Sequence, residues 1–333
     1  MKFAILAVLA LVFVLGCVGG QRSTTVSANE GVRISSFTTT PSVIEVFSGD
    51  SVIFDVEAEN IGGTDARNVE VTLYGVEGQW RDPSGGGVVS QITSRSFGTL
   101  RPPQPERNLP GDFRAAQWEF KTPQIPQGIT TPASVEARVT YDYNMNGFLQ
   151  FTTVNDEEYR RQQITGSTIE PPIVQNSNGP LKLSVPSTAK STFIIVDTEG
   201  ASDDPNWYVY PLKIEFQNTG SGFPTGDPAV STDEGKLTGT IKILGSNVEF
   251  SNCLGQTSGT TLDLDSAVQG TGSDRLTVRL RETQNVPIVC NIKFSKSSWR
   301  SLPTGKVSLV FDINYKYFTK QSVSVNVIGK KEA

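Results

Sequence analysis

Ser51-Val52-Ile53-Phe54-Asp55-Val56-Glu57-Ala58-Glu59-Asn60-Ile61-Gly62-Gly63 is the stretch on which the fold turns. Val52, Phe54, Val56 and Ala58 alternate with Ile53, Asp55, Glu57 and Glu59, so one face is apolar and the other largely polar. A period of two marks a half-buried β-strand. Ser48-Gly49-Asp50 before it and Asn60-Ile61-Gly62-Gly63 after it supply turn chemistry. Outward on either side, Val43-Ile44-Glu45-Val46-Phe47 and Val69-Glu70-Val71-Thr72-Leu73-Tyr74-Gly75 read as further strands.

The same phrases return later in the chain. Asn60-Ile61-Gly62 is echoed by Asn218-Thr219-Gly220 after Leu212-Lys213-Ile214-Glu215-Phe216, and Val71 to Gly75 by Ile241-Lys242-Ile243-Leu244-Gly245. Trp80 answers Phe250, Trp118-Glu119-Phe120 answers Ile292-Lys293-Phe294, and Tyr141-Asp142-Tyr143 answers Ile313-Asn314-Tyr315. An ordered series of echoes predicts two copies of one β topology. The expected class is all-β: two tandem immunoglobulin-like sandwiches over 31–164 and 181–329, joined by a short helix and a linker over 165–180. Asn155-Asp156-Glu157-Glu158 starts that helix, with Asn155 as its cap. Each copy is expected to close with a hairpin, the first turning at Asn144-Met145-Asn146-Gly147 and the second lying in Tyr315 to Lys320.

The order Gly49-Asp50, alternating strand, Asn60-x-Gly62, Ala66-x-Asn68-Val69-x-Val71-x-Leu73 resembles the cell-adhesion-related domain found in bacteria (CARDB), whose relatives occur on archaeal surfaces. The resemblance spans about Thr39 to Gly75 and implies a sandwich of about seven strands. A long insertion, Glu77 to Asp112, with Gly85-Gly86-Gly87 and Arg101-Pro102-Pro103-Gln104-Pro105, departs from it.

Met1 to Gly20 carries Lys2, an apolar run from Phe3 to Leu15, and then Gly16-Cys17. That layout is a secretory signal, and its Leu15-Gly16-Cys17 ending resembles a lipoprotein signal. The resemblance implies cleavage after Gly16, a lipid on Cys17 and a polar tether to about residue 30. An uncleaved anchor is the competing reading, but the run falls short of the ~20 residues that span a bilayer. Of three cysteines, Cys253 and Cys290 then remain, which in an exported protein suggests one disulfide; two buried thiols are the alternative. The duplication sets them opposite Pro83 and Ala116, so only the second copy carries the pair.

A formal charge of −5 and a pI near 5.1 disfavour nucleic acid as a partner. Histidine is absent, which removes the commonest general base and zinc ligand. No cofactor is expected. Asp142-x-Asn144-x-Asn146-Gly147 matches the first half of a calcium loop, but its twelfth position is Thr153, and the same residues suit a turn. Asp203, Asp204, Trp207 and Tyr208, with Trp80, are candidate ligand contacts, since an aromatic platform beside carboxylates suits a sugar or a cation; a solvated loop is the plainer reading. Asp263 and Asp265 form a carboxylate pair with no second pair to oppose it. The expected function is a non-enzymatic, lipid-anchored binding or structural module of the envelope, held to the membrane through its lipid and touching an envelope protein or polysaccharide. A carbohydrate- or solute-binding accessory protein of an envelope complex or transporter is the alternative.

Overall fold

The structure is a computed structural model that describes residues 24–330, apart from 43–44, 85–86, 92, 187–192, 201–203, 227–233, 256–258, 265–277 and 281–284. Cys17, Asp203 and Asp265 lie outside the described residues. The first half runs β1 (Val32–Thr40), β2 (Glu45–Phe47), β3 (Ser51–Asn60), β4 (Ala66–Tyr74), β5 (Thr93–Leu100), β6 (Phe113–Lys121), β7 (Thr130–Asn155) and α1 (Asp156–Thr165). The second runs β8 (Ile173–Asn176), β9 (Leu181–Ser184), β10 (Ile194–Val196), β11 (Trp207–Asn218), β12 (Phe223–Thr225), β13 (Thr238–Leu244), β14 (Val248–Asn252), β15 (Thr261–Asp263), β16 (Val286–Ser295), α2 (Lys296–Arg300) and β17 (Thr304–Ile328).

The chain is nearly all β, as its period-two pattern predicts. Strand β3 buries Val52, Phe54, Val56 and Ala58 as the alternation requires, between β1 and β6. In the second half β11 holds the same place between β9 and β16, with β14 added at the edge. Each of these small sheets accompanies one half of a single ten-stranded sheet whose main path is β15-β13-β17-β7-β4-β5. That path is palindromic: β5-β4-β7 in the first half mirrors β15-β13-β17 in the second. The short parallel pairs agree, β2 beside the end of β17 and β10 beside the end of β7.

The structure corrects the expected closing hairpins. Strand β7 does not turn at Asn144–Gly147 but continues to Asn155, and β17 passes straight through Tyr315–Lys320. The two pair antiparallel without a break from Thr304↔Val154 to Ile328↔Thr130, so the last strand of each half extends into the other. Gly147 is extended and buried opposite Phe311, and a Cβ there would meet Met145 Sδ at 3.2 Å and Phe311 Cβ at 3.3 Å. It makes room across the ribbon, where the sequence suggests a turn. The expected linker also shrinks, because β8 pairs with β7 at Gly147–Gln150. The insertion contributes β5, which extends the large sheet beyond β4.

At the middle of the ribbon Tyr143 faces Tyr315 and Tyr141 faces Tyr317. The four rings pack with centroids 5.7–6.2 Å apart. The echo of Tyr141-Asp142-Tyr143 is therefore Tyr315-Lys316-Tyr317, two residues later than the sequence suggests, and hydrogen bonds fix the equivalence. Gly62 N donates to Asn60 Oδ1 (3.0 Å) and Asn60 Nδ2 to Thr64 O (2.9 Å); Gly220 N donates to Asn218 Oδ1 (3.2 Å) and Asn218 Nδ2 to Gly222 O (3.0 Å). Thr64 N donates to the Tyr143 hydroxyl at 3.2 Å, while the Tyr317 hydroxyl donates to Asn218 Oδ1 at 2.8 Å. Each Asn-x-Gly turn is thus held by the second tyrosine of a Tyr-x-Tyr pair. Burial pushes all four phenols above their ordinary range, Tyr141 and Tyr315 furthest.

The remaining core is aromatic and aliphatic. Trp80 packs edge-on against Phe54 at 5.2 Å, Phe216 against Phe311 at 6.1 Å, and Trp299 against Phe294 at 5.6 Å. Cys253, just past β14, is disulfide-bonded to Cys290 inside β16, with Cα atoms 4.4 Å apart. Closing a 37-residue separation stabilises the fold by about 3–4 kcal/mol in the chain-entropy account. Helix α1 starts as its sequence predicts, Asn155 Oδ1 accepting from Glu158 N at 2.8 Å, and ends at Gly166 in the left-handed region. Glu158 bonds forward to Arg161 and Gln162, and these bonds hold its carboxyl below the usual range.

Candidate ligand groove

On the outer face of the ribbon the same alternation that buries Tyr141, Tyr143, Met145 and Leu149 presents Asp142, Asn144 and Asn146. Strand β17 offers Lys316, Asn314 and Asp312 directly across from them. Register extends these pairs into rows. Arg67 of β4, Asp142, Lys316 and Thr225 of β12 form one row, and Asn144, Asn314 and Thr238 of β13 form the next. Strands stand ~4.8 Å apart and alternate residues ~6.7 Å apart along a strand, so the floor is a polar grid on rigid backbone.

The local sequence explains how β4 reaches this floor. Between Arg67↔Asp142 and Glu70↔Thr140 the register slips, and Asn68 sits at φ 50°, a left-handed value that asparagine tolerates better than most residues. Such a bulge re-aims a side chain. Here it sends Asn68 Nδ2 onto Asp142 Oδ2 at 2.6 Å, while Lys316 Nζ lies 3.6 Å from Asp142 Oδ1. Asn144 Nδ2 donates to Asp312 Oδ1 (2.6 Å) and Asn314 Oδ1 (3.1 Å), and its Oδ1 accepts from Asn146 Nδ2 (2.8 Å). Thr64 and Thr238 donate from their hydroxyls to the backbone carbonyls of Asn144 and Asn314, each at 3.3 Å. The residues of the two rows, with Thr64, Asp65, Asn68, Gly226 and Lys236, line an open groove of about 710 Å³. That volume lies within the range of small-molecule sites.

The residues singled out by the sequence divide sharply. Asp142 and Asn144 lie on the groove floor and Asn146 follows them on the same face of β7, though not as a calcium loop. In an extended strand their backbone positions stand ~6.7 Å apart, and no loop wraps the three around one ion. Among the described residues no group of three or more acidic, histidine or cysteine side chains is placed to hold a metal. Trp80, expected as a contact, is fully buried against Phe54 and is a core residue. Trp207 and Tyr208 begin β11, away from the groove. Lys293 Nζ lies 4.6 Å above the Trp207 ring, and Tyr208 is half-buried, its phenol raised by burial. Asp204 accepts from Asn206 N at 2.8 Å in a surface turn. Arg67, Lys236 and Lys316 escape notice in the sequence. Placing them needs the β4 and β13 registers, which no local pattern carries.

No family model matches the chain, and no curated protein does. Among solved structures it is similar to the C-terminal globular domain of an oligosaccharyltransferase from Pyrococcus abyssi, at 7% identity and a TM-score of 0.23, over 91% of this chain and 50% of that one. The chain therefore spans half the length of that protein. It is also similar to the sporulation control protein Spo0M from Bacillus subtilis (12% identity, TM-score 0.16, 57% of this chain and 69% of that). The secreted serine protease VesC from Vibrio cholerae is a third (10% identity, TM-score 0.18, 86% and 51%). Likenesses this distant carry no argument about architecture or activity.

Proposed function

We propose that this chain is an exported, lipid-anchored envelope protein that works by binding and performs no catalysis. In this reading Cys17 carries the lipid, the polar segment to about residue 30 is a tether, and two immunoglobulin-like halves present a shared binding face. One observation supports the binding role. The two longest described strands, one from each half, form the floor of a single polar groove, so its side chains sit on backbone fixed along its whole length. Sites built on strands hold their geometry better than sites on loops. The partner is an envelope protein or polysaccharide.

Fractionation with mass spectrometry tests the anchor: the mature protein is expected in the membrane fraction, beginning at acylated Cys17. Co-sedimentation of the purified chain with isolated envelope material tests the binding. A cytosolic protein that retains Met1 to Gly16, or a chain that ignores envelope material, overturns the proposal.

A further inference from the structure

We propose that the groove binds a carboxylated saccharide, with Arg67 and Lys236 receiving its carboxylates; the inference rests on the binding role above and names its ligand class. The charge balance of the groove is the reverse of the chain's. The protein carries a formal −5, yet three cations, Arg67, Lys236 and Lys316, line the groove against two carboxylates, Asp65 and Asp142. Lys316 is engaged by Asp142. Among the described residues Arg67 and Lys236 make no ion pair, although both border the same open space. Two such cations on opposite borders of a groove attract an anion, Arg by a bidentate fork and Lys as a point charge.

The rest of the lining argues for a polyol. Thr64, Thr225, Thr238, Asn68 and Asn314 offer hydroxyl and amide groups, which both donate and accept. Asp65 and Asp142 can accept hydroxyl protons from a sugar. The same two acids disfavour a phosphate. A phosphate brings two charges to one point beside them, whereas a uronate chain brings one carboxylate to each ring and spaces its charges a sugar apart. The grid spacing of ~4.8 Å by ~6.7 Å is close to the repeat of a pyranose in an extended chain. An open volume of about 710 Å³ takes a short oligomer rather than a single ring.

Calorimetry on the full mature chain with trigalacturonate, galactotriose and galactose 6-phosphate tests this. Trigalacturonate is expected to bind, galactotriose at least tenfold more weakly, and affinity for trigalacturonate is expected to fall as salt screens the contacts. Arg67→Gln and Lys236→Gln should each weaken trigalacturonate about tenfold with unchanged unfolding midpoints, since both side chains border open space and neither belongs to the core. Equal binding of galactotriose, tighter binding of the phosphate ester, or no effect of either substitution overturns the inference. Failure to bind trigalacturonate while the chain still sediments with envelope material overturns the ligand class alone. Failure in both assays removes the binding role with it.

Discussion

The four-tyrosine cluster allows a sharp test, because equivalent rings carry unequal hydroxyls. The Tyr317 hydroxyl donates to Asn218 Oδ1 at 2.8 Å, an oxygen that also accepts from Gly220 N. Tyr317→Phe removes one uncharged hydrogen bond and leaves Asn218 with its backbone donor, a loss of about 1 kcal/mol. The Tyr141 hydroxyl is buried beside the Val32 backbone without closing a hydrogen bond. Tyr141→Phe therefore deletes a buried polar atom whose desolvation the Val32 backbone only partly offsets, and is expected to be neutral or to stabilise by about 1 kcal/mol. The two variants should differ by ~1–2 kcal/mol. At an m-value near ~3 kcal/mol/M in urea, their midpoints separate by roughly half a molar. The assay is urea unfolding followed by tryptophan fluorescence, with Asn218→Ala as a second background in which Tyr317→Phe should cost almost nothing further. If Tyr141→Phe destabilises as much as Tyr317→Phe, or the order reverses, the hydroxyl assignments are wrong. The account of how each Asn-x-Gly turn is fastened then falls with them.

Two further outcomes follow from the same ribbon. A protease site introduced in the exposed segment 166–168 should yield fragments that co-elute on size exclusion until denaturant is added, because β7 and β17 bind the halves along their full length; separation under native conditions would show that the connecting peptide is the joint. Burial raises the phenols of Tyr141, Tyr143, Tyr315 and Tyr317, so they stay neutral in the fold while their unfolded counterparts ionise near pH ~10. Ionisation of the unfolded chain then favours unfolding, so stability is unaffected by these groups below pH ~10 and falls as pH rises beyond it. Half of the eight tyrosines should titrate only as the chain unfolds, and early phenolate absorbance from all eight would refute the buried cluster.

Much of this is legible in the chain. Alternation in Val52 to Ala58 names a half-buried strand, the recurring Asn-x-Gly phrase marks the related halves, and Asn155 with Glu158 places a helix start. All depend on neighbours a few residues apart, so sequence suffices. Cysteine parity likewise leads to Cys253–Cys290. The turn expected at Asn144-Met145-Asn146-Gly147 does not form, and a counter-signal is present in the chain itself. Val135, Ala137, Val139, Tyr141, Tyr143, Met145, Gly147, Leu149 and Phe151 keep one unbroken period of two, which a hairpin at Asn144 would throw out of phase. Trp80 misleads differently: a tryptophan at a loop border can plug a core or meet a ligand, and only the position of Phe54 decides which.

The sequence alone therefore determined the class of structure, the face that β3 buries and the recurrence of the Asn-x-Gly turn. Tertiary structure decided that the halves share a sheet, and so that a groove exists at all. The reason lies in what asparagine and glycine permit. Their backbones accept a turn or an extended strand at similar cost, and the choice here is made by β17, whose Phe311 packs into the space Gly147 leaves and whose backbone satisfies β7 on the far side of the turn that never forms. Lys316 reaches Asp142 only through that pairing, and Arg67 only through β4 against β7, since the three stand far apart in the chain and nothing local draws them together.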